Sequence, residues 1–152
     1  MLKMLDRENF LFIKNNWAKI SAEIIYSEIE KIHLKKETVN IALTGGRTSS
    51  KIYIHLNKLL KKNKKKINFC LGDERYLSNK SKLSNSFSIN KVLLNYKNKD
   101  HKFFTPNTKN KISKEILAYE KQIDKIDILL LTLGDDGHIA SIFPKFEVVF
   151  HF

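Results

Sequence analysis

The chain has 152 residues, of which 42% are hydrophobic, and this is enough to build one folded domain with its own core. No apolar run approaches the roughly 20 residues that cross a bilayer. Asp6 and Glu8 lie where a signal peptide would carry its apolar stretch. We therefore expect a single domain over residues 1–152, located in the cytoplasm and without a membrane partner.

The formal net charge of +12 raises the question of a nucleic-acid partner. Only three of the 28 basic residues are arginine, and many of the lysines lie in runs such as residues 61–66, which are typical of solvated connectors. We expect no nucleic-acid partner, although a positive field would help to attract an anionic substrate such as a sugar phosphate. The single cysteine, Cys70, lies in an apolar run and is predicted to be a buried free thiol.

Apolar periodicity and short β-branched runs predict strands that alternate with helices. In chain order the expected elements are a helix from Asp6 to about Ile32, a strand over 39–43, a helix capped by Thr48 to Ser50 and ending near Leu60, a strand over 67–71, a helix over about 87–94, a short strand at Phe103–Phe104, a helix over 113–122, a strand over 126–133 buried on both faces, and a short helix over 139–143 stopped by Pro144.

This alternation predicts an α/β fold with an open, mostly parallel sheet and helices on both faces. Three polar segments that contain glycine follow three of the predicted strands. We call them the glycine loop (44–48), the acidic loop (72–75) and the histidine loop (134–138). Because such sheets bind ligands at the carboxyl ends of their strands, we expect the three loops to form one site.

The glycine loop has features of a phosphate site. Gly45 and Gly46 let the backbone approach a ligand closely, and the following helix would direct unpaired N–H groups towards it. Arg47 and Thr48 offer further hydrogen-bond donors. Glycines that serve turn geometry alone remain the alternative.

The other two loops carry charged side chains. Asp73, Glu74 and Arg75 either direct one or two charges into a cleft or form a solvated turn with a local ion pair. In the histidine loop, His138 is a candidate general base and Asp136 a carboxylate that could orient its ring. The alternative is a histidine that caps a helix start.

Three blocks of sequence resemble one known family. The run from Leu133 to Pro144, with the sequence Leu-Gly-Asp-Asp-Gly-His-Ile-Ala-Ser-Ile-Phe-Pro, is similar to the signature of the 6-phosphogluconolactonases. The glycine loop with Leu43, and Gly72-Asp73-Glu74-Arg75-Tyr76 followed by Ser84-Asn85-Ser86, are similar to the family's other two blocks. The resemblance implies a Rossmann-like fold of the sugar-phosphate isomerase/lactonase type, and it extends to about Pro144.

The resemblance also implies an activity and a set of roles. The activity is hydrolysis of 6-phosphoglucono-δ-lactone to 6-phosphogluconate, a step of the oxidative pentose phosphate pathway, with no metal and no cofactor. His138 would activate water, Asp136 would orient His138, and Arg75 would hold the anionic substrate or the developing oxyanion. The remaining implied contacts are Asp73, which would position Arg75 or the substrate, and the substrate-binding residues Gly45, Gly46, Arg47 and Thr48.

Two alternatives stay open. Glucosamine-6-phosphate deaminases share the fold, but they carry Phe-Asn-Glu-Pro where this chain has Ser141 to Pro144, and usually a tyrosine at the position of Arg75. Ile139 is the one residue that resembles the deaminases. Residues 145–152 do not resemble the family's continuation, so we also expect that the C-terminal part of the domain is missing. An inactive truncated remnant with weak polyanion binding is therefore the second alternative.

Overall fold

The computed structural model describes residues 11–122 and 125–144. Within these ranges the chain alternates helices and strands as the sequence predicts. In chain order they are α1 (Trp17–His33), β1 (Thr38–Leu43), α2 (Arg47–Leu60), β2 (Lys66–Leu71), α3 (Asn85–Val92), β3 (His101–Phe103), α4 (Ile112–Glu120) and β4 (Ile128–Leu129). No helix of the described ranges is both long and apolar enough to cross a membrane.

The four strands form one parallel sheet in the order β3-β2-β1-β4. β1 and β2 pair along their whole length, from Thr38 opposite Lys66 to Leu43 opposite Leu71. The carboxyl ends of these two strands therefore lie side by side, and the glycine and acidic loops leave the sheet at the same level. The prediction of an open parallel sheet is confirmed.

One face of the sheet holds the main core, which α1, α2 and α3 cover. Alternate residues of the two central strands are buried there, because side chains at positions i and i+2 of a strand point to the same face. The core comprises Val39, Ile41, Leu43, Ile67, Phe69 and Leu71 from the sheet, with Ala22 and Ile29 of α1, Tyr53, Leu56 and Leu60 of α2, and Ile89 and Leu93 at α3. Each large apolar side chain buried in this way contributes about 1.5–3 kcal/mol.

The opposite face is covered in part by α4. Tyr119 and Glu120 lie over Ala42 and Cys70 and line with them a cavity of about 310 Å³. Helices thus pack on both faces, as predicted. Cys70 is only 5% exposed, in agreement with the prediction, and burial raises the pKa of its thiol to about 11.

The first helix begins later than its pattern suggests. Residues 6–10 of the predicted helix lie outside the described part, and residues 11–16 are not helical. Asn16 has a left-handed backbone with φ of 54°, which a continuous right-handed helix does not admit, so α1 begins at Trp17. β3 likewise ends at Phe103 instead of including Phe104.

The prediction of an eight-residue strand over 126–133 is wrong in length and in burial. Only Ile128 and Leu129 pair as a strand, opposite Ile41 and Ala42 of β1. Beyond them Leu131 and Leu133 are 51% and 71% exposed. An apolar run indicates which residues could be buried, but the length of a strand depends on the strands beside it. Within the described residues, β4 has a neighbouring strand, β1, on one side only.

The short helix predicted over 139–143 is also wrong. Ile139 forms isolated antiparallel bridges with Leu133 and with Ile142, and Ala140 has a positive φ of 53°. The segment therefore folds back on the histidine loop as a tight turn.

Candidate active site

A buried tyrosine fixes the glycine loop to the end of β1. The Tyr53 hydroxyl of α2 donates to the Thr44 carbonyl at 2.9 Å and accepts from the Thr44 N–H at 3.2 Å. These two bonds satisfy backbone groups that lie beyond the strand pairing. At the next strand, the Gly72 N–H donates to the Leu43 carbonyl at 2.8 Å, so the acidic loop starts beside the glycine loop.

The glycine loop presents the N-terminus of α2. Gly46 has a φ of 104°, which favours glycine, and the helix begins at the next residue, Arg47. The cap predicted at Thr48 to Ser50 is not formed: the Ser49 and Ser50 hydroxyls donate instead to the carbonyls of Gly45 and Gly46. Among the described residues no side chain caps this helix, and the free N–H groups of a helix N-terminus are the kind of donors that an anion can bind.

The acidic loop is held by the segment that leads into α3. The Asp73 carbonyl accepts from Asn85 Nδ2 at 3.1 Å, and Arg75 Nη1 donates to the Leu83 carbonyl at 2.6 Å. Within the described residues, no ion pair joins Asp73 or Glu74 to Arg75. The solvated turn with a local ion pair, considered from the sequence, is therefore not what forms.

Glu74 lies between these two residues and faces the start of α3. Burial alone would raise the pKa of its carboxyl group. The backbone N–H groups of Ser86, Asn85 and Arg75 donate to the carboxylate, each at 2.8 Å, and together they hold the pKa below its usual value. Glu74 is therefore ionised at neutral pH.

The histidine loop holds a histidine and a carboxylate in contact. Asp136 Oδ1 lies 2.5 Å from His138 Nδ1, and the hydrogen bond with the His138 side chain lowers the pKa of Asp136. Since an ionised carboxylate only accepts hydrogen bonds, Nδ1 carries the hydrogen and Nε2 of the neutral ring keeps a free lone pair. The ring stacks on Phe143 with centroids 5.0 Å apart.

Glycines make this geometry possible. The Gly134 N–H donates to the His138 carbonyl at 2.8 Å, and the Gly137 N–H donates to the Gly134 carbonyl at 2.9 Å. Gly137 has a positive φ of 85°, and a Cβ on Gly134 would overlap the His138 ring. The loop thus folds around its own histidine, which is not the helix cap considered as the alternative.

Two contacts join the three loops. Ser141, just after the histidine loop, donates its hydroxyl to Asp73 Oδ2 at 3.0 Å. Asn85, which binds the Asp73 carbonyl, also packs against Gly45: a Cβ at Gly45 would lie 1.9 Å from Asn85 Oδ1. The expectation that the loops meet at one edge of the sheet is confirmed.

Sequence reasoning assigned no role to Asn85, Ser141 or Phe143, although all three lie in the recognised blocks. Two residues that the sequence did indicate have no contact of this kind with the other loops in the part of the chain that the structure describes. Arg47 and Thr48 are exposed at the first turn of α2, and no hydrogen bond or ion pair connects them with the other loops among the described residues.

A separate cleft of about 240 Å³ lies between the acidic loop and α4, lined by Glu74, Tyr76, Ile112 and Tyr119 among others. It includes no residue of the glycine or histidine loop, so it is not the place where the three loops meet. Among the described residues, no group of three or more His, Cys, Asp or Glu side chains is arranged to hold a metal ion.

Fold and site define an α/β protein in which the loops at the carboxyl ends of parallel strands carry a histidine–carboxylate pair and lead into the N-terminus of a helix. The model of one family, described as glucosamine-6-phosphate isomerases/6-phosphogluconolactonase, matches residues 14–150. The chain belongs to this family.

Individual relatives agree with this assignment. The 6-phosphogluconolactonase of Thermotoga maritima is 31% identical over 144 residues, which are 91% of this chain and 65% of that protein. A glucosamine-6-phosphate deaminase of Clostridium tetani is 33% identical, over 91% of this chain and 61% of its own length. A solved structure of 6-phosphogluconolactonase from Thermotoga maritima superposes with a TM-score of 0.75 at 30% identity, covering 86% of this chain and 62% of that one. The chain thus spans somewhat less than two thirds of these relatives.

Proposed function

We propose that the protein hydrolyses 6-phosphoglucono-δ-lactone to 6-phosphogluconate. The observation that carries the proposal is the His138–Asp136 contact in a loop that is joined to Asp73 through Ser141. A histidine whose Nδ1 is held by a carboxylate has Nε2 available as a base, which is what the attack of water on a lactone carbonyl requires. The reaction needs neither a redox step nor a metal.

In this mechanism His138 Nε2 takes a proton from water as the water oxygen bonds to the lactone carbonyl carbon. Asp136 stabilises the imidazolium that forms. The bond between that carbon and the ring oxygen then breaks, and the ring oxygen receives the proton, so that the products are a carboxylic acid and a hydroxyl group. Arg75 would stabilise the oxyanion formed in between.

The phosphate group would bind at the glycine loop. The first turn of α2 has no side-chain cap, and its N–H groups and helix dipole favour an anion. Arg47 and Thr48 would add charge and a hydroxyl donor at the same turn. Gly45 and Gly46 would let the substrate approach the backbone, and Asp73, fixed by Ser141 and Asn85, would orient the sugar or Arg75.

The test is an assay of acid release from freshly generated lactone at mildly acidic pH, where spontaneous opening is slow. We expect the parent chain to accelerate opening and His138→Ala to lose about a hundredfold to ten-thousandfold in rate. His55→Ala is the matched control, because His55 lies on α2 away from the loops. Equal rates for the parent and His138→Ala would overturn the role of His138.

The same preparations are given glucosamine 6-phosphate, and ammonia release is measured, because one relative is a deaminase. Release of ammonia without lactone opening would replace the proposal with the deaminase reaction. If the parent chain opens lactone no faster than buffer does, the proposed activity is wrong for this chain.

A further inference from the structure

We propose that Glu74 is a positioning residue, which sets the places of Asp73 and Arg75 by binding the N-terminus of α3. The inference rests on the proposed lactonase function for its kinetic consequence, but its structural part stands alone. Nothing in the residue pattern distinguishes Glu74 from a surface carboxylate.

The contacts of Glu74 use both of its carboxylate oxygens. Oε1 accepts the N–H groups of Asn85 and Arg75, each at 2.8 Å. Oε2 accepts the Ser86 N–H at 2.8 Å and the Ser84 hydroxyl at 3.0 Å. Four donors thus converge on one ionised group, and two of them are unpaired N–H groups of the first turn of α3.

This arrangement connects three successive residues of the acidic loop to residues 83–86, which lead into α3 and begin it. Asn85 binds the Asp73 carbonyl, the start of α3 binds the Glu74 side chain, and the Leu83 carbonyl accepts from Arg75. The residues before and after Glu74 are thus each bound to this segment by a hydrogen bond of their own. Because Asp73 and Arg75 flank Glu74 in the chain, the bonds to the Glu74 carboxylate constrain their backbone as well.

The same helix start reaches the other loops. The Asn85 carboxamide occupies the space that a side chain on Gly45 would need, and Asp73 accepts the Ser141 hydroxyl. The start of α3 therefore holds the acidic loop in place relative to the glycine and histidine loops. Moving Glu74 off α3 would move the groups proposed to bind substrate.

Two other roles for Glu74 are less consistent with these contacts. A general acid or base needs a lone pair or proton directed at substrate, whereas both oxygens of Glu74 already accept two hydrogen bonds each. A purely structural cap would stabilise α3 without affecting turnover. The Ser84 hydroxyl already caps α3 by accepting the Phe87 N–H at 3.2 Å, so α3 does not depend on Glu74 alone for its cap.

The experiment compares Glu74→Gln and Glu74→Asp with Asp127→Asn. Asp127 is the matched control, because it also accepts a backbone N–H, that of Asn40 at 2.8 Å, but lies at the opposite end of the sheet. Glu74→Gln keeps the size and places an NH₂ group against N–H donors. Glu74→Asp keeps the charge but is one methylene too short, and it decides the question if the glutamine variant does not fold.

Two readouts are taken at a temperature at which circular dichroism shows each variant folded. We expect the Glu74 variants to lose about tenfold to a hundredfold in kcat, with an unchanged midpoint of the pH–rate profile, because a positioning residue lowers the plateau without titrating. Asp127→Asn should keep the kcat of the parent. Unchanged kcat in folded Glu74 variants, or a displaced pH midpoint, would overturn the proposal.

Backbone amide exchange decides the structural part even if the parent opens no lactone. We expect exchange at residues 73–76 and 85–86 to accelerate at least about tenfold in the Glu74 variants and to remain as in the parent in Asp127→Asn. If residues 73–76 exchange at the parental rate in a folded Glu74→Gln variant, Glu74 does not hold the loop, whatever the activity. Failure of the lactonase assay alone would overturn only the proposed function.

Discussion

Gly134→Ala tests whether the histidine–carboxylate contact is required for activity. An added Cβ would lie 2.2 Å from Nδ1 and Cε1 of His138 and 2.8 Å from Asp136 Oδ1. Since ordinary contact begins at 3.4 Å, the imidazole would have to retreat by about 1.2 Å. The side chain can rotate to do this, but it then leaves Asp136. We expect a modest loss of stability and a large loss of rate.

The magnitude follows from this displacement. Misplacing a catalytic group by about 1 Å costs about a hundredfold in rate, so kcat for lactone opening should fall by about that factor. The pKa of Asp136 should also rise towards its usual value, because the hydrogen bond with His138 that lowers it is lost. Steady-state kinetics and a carboxyl-carbon NMR titration measure the two effects independently.

The comparison variant is Gly72→Ala, whose added Cβ would come no closer than 3.4 Å, to the Leu43 carbonyl oxygen. It adds the same methyl group without displacing a side chain, and its rate should fall much less. If Gly134→Ala opened lactone at the parental rate while the Asp136 titration showed the contact broken, the orientation of His138 by Asp136 would not matter for turnover.

Two further predictions concern the glycine loop and metal ions. Gly45→Ala should reduce the rate of lactone opening, because its Cβ would displace the Asn85 carboxamide and free the Asp73 carbonyl. In an Asn85→Ala background the same change should reduce the rate less, and equal rate losses in both backgrounds would contradict this coupling. EDTA should leave the rate unchanged, and a rate that EDTA abolishes and added metal restores would contradict a metal-free mechanism.

The sequence predicts the two central strands, β1 and β2, well and the strand expected over 126–133 poorly, and both outcomes have the same physical reason. β1 and β2 each end at a glycine-containing loop, and each has a paired strand on both sides, so that apolar composition and pairing agree. The run at 126–133 is equally apolar, yet only Ile128 and Leu129 pair with a strand of the sheet. Composition indicates the tendency to form a strand, whereas the length of pairing is set by neighbours distant in the chain.

The site shows the same division between local and distant contacts. The contact of Asp136 with His138 spans two residues and could be expected from spacing alone. The bond from Ser141 to Asp73 spans 68 residues, and the fit of Asn85 against Gly45 depends on how α3 meets the sheet. No periodicity in the sequence encodes these contacts, so residues that join the loops are visible only in the fold.

His101 gives the fold a dependence on pH that is separate from the site. Its ring packs edge-on against Phe69 and Tyr96, and Nδ1 lies 2.8 Å from the Tyr96 hydroxyl. Burial lowers the pKa of His101 below 6.5, and the charge of Asp100 opposes this only in part. As pH falls from 6.5 towards the folded pKa, the unfolded chain therefore takes up a proton that the folded chain does not, and stability decreases.

One such proton costs at most about 1.4 kcal/mol per pH unit, and because the ring is partly exposed we expect about half of that. Urea unfolding of the parent and of His101→Gln between pH 7 and pH 5.5 measures the effect, since glutamine can accept a hydrogen bond from Tyr96 but does not titrate in this range. Parallel pH dependences for His101→Gln and the parent would show that the folded protein accommodates a charged His101 at no cost.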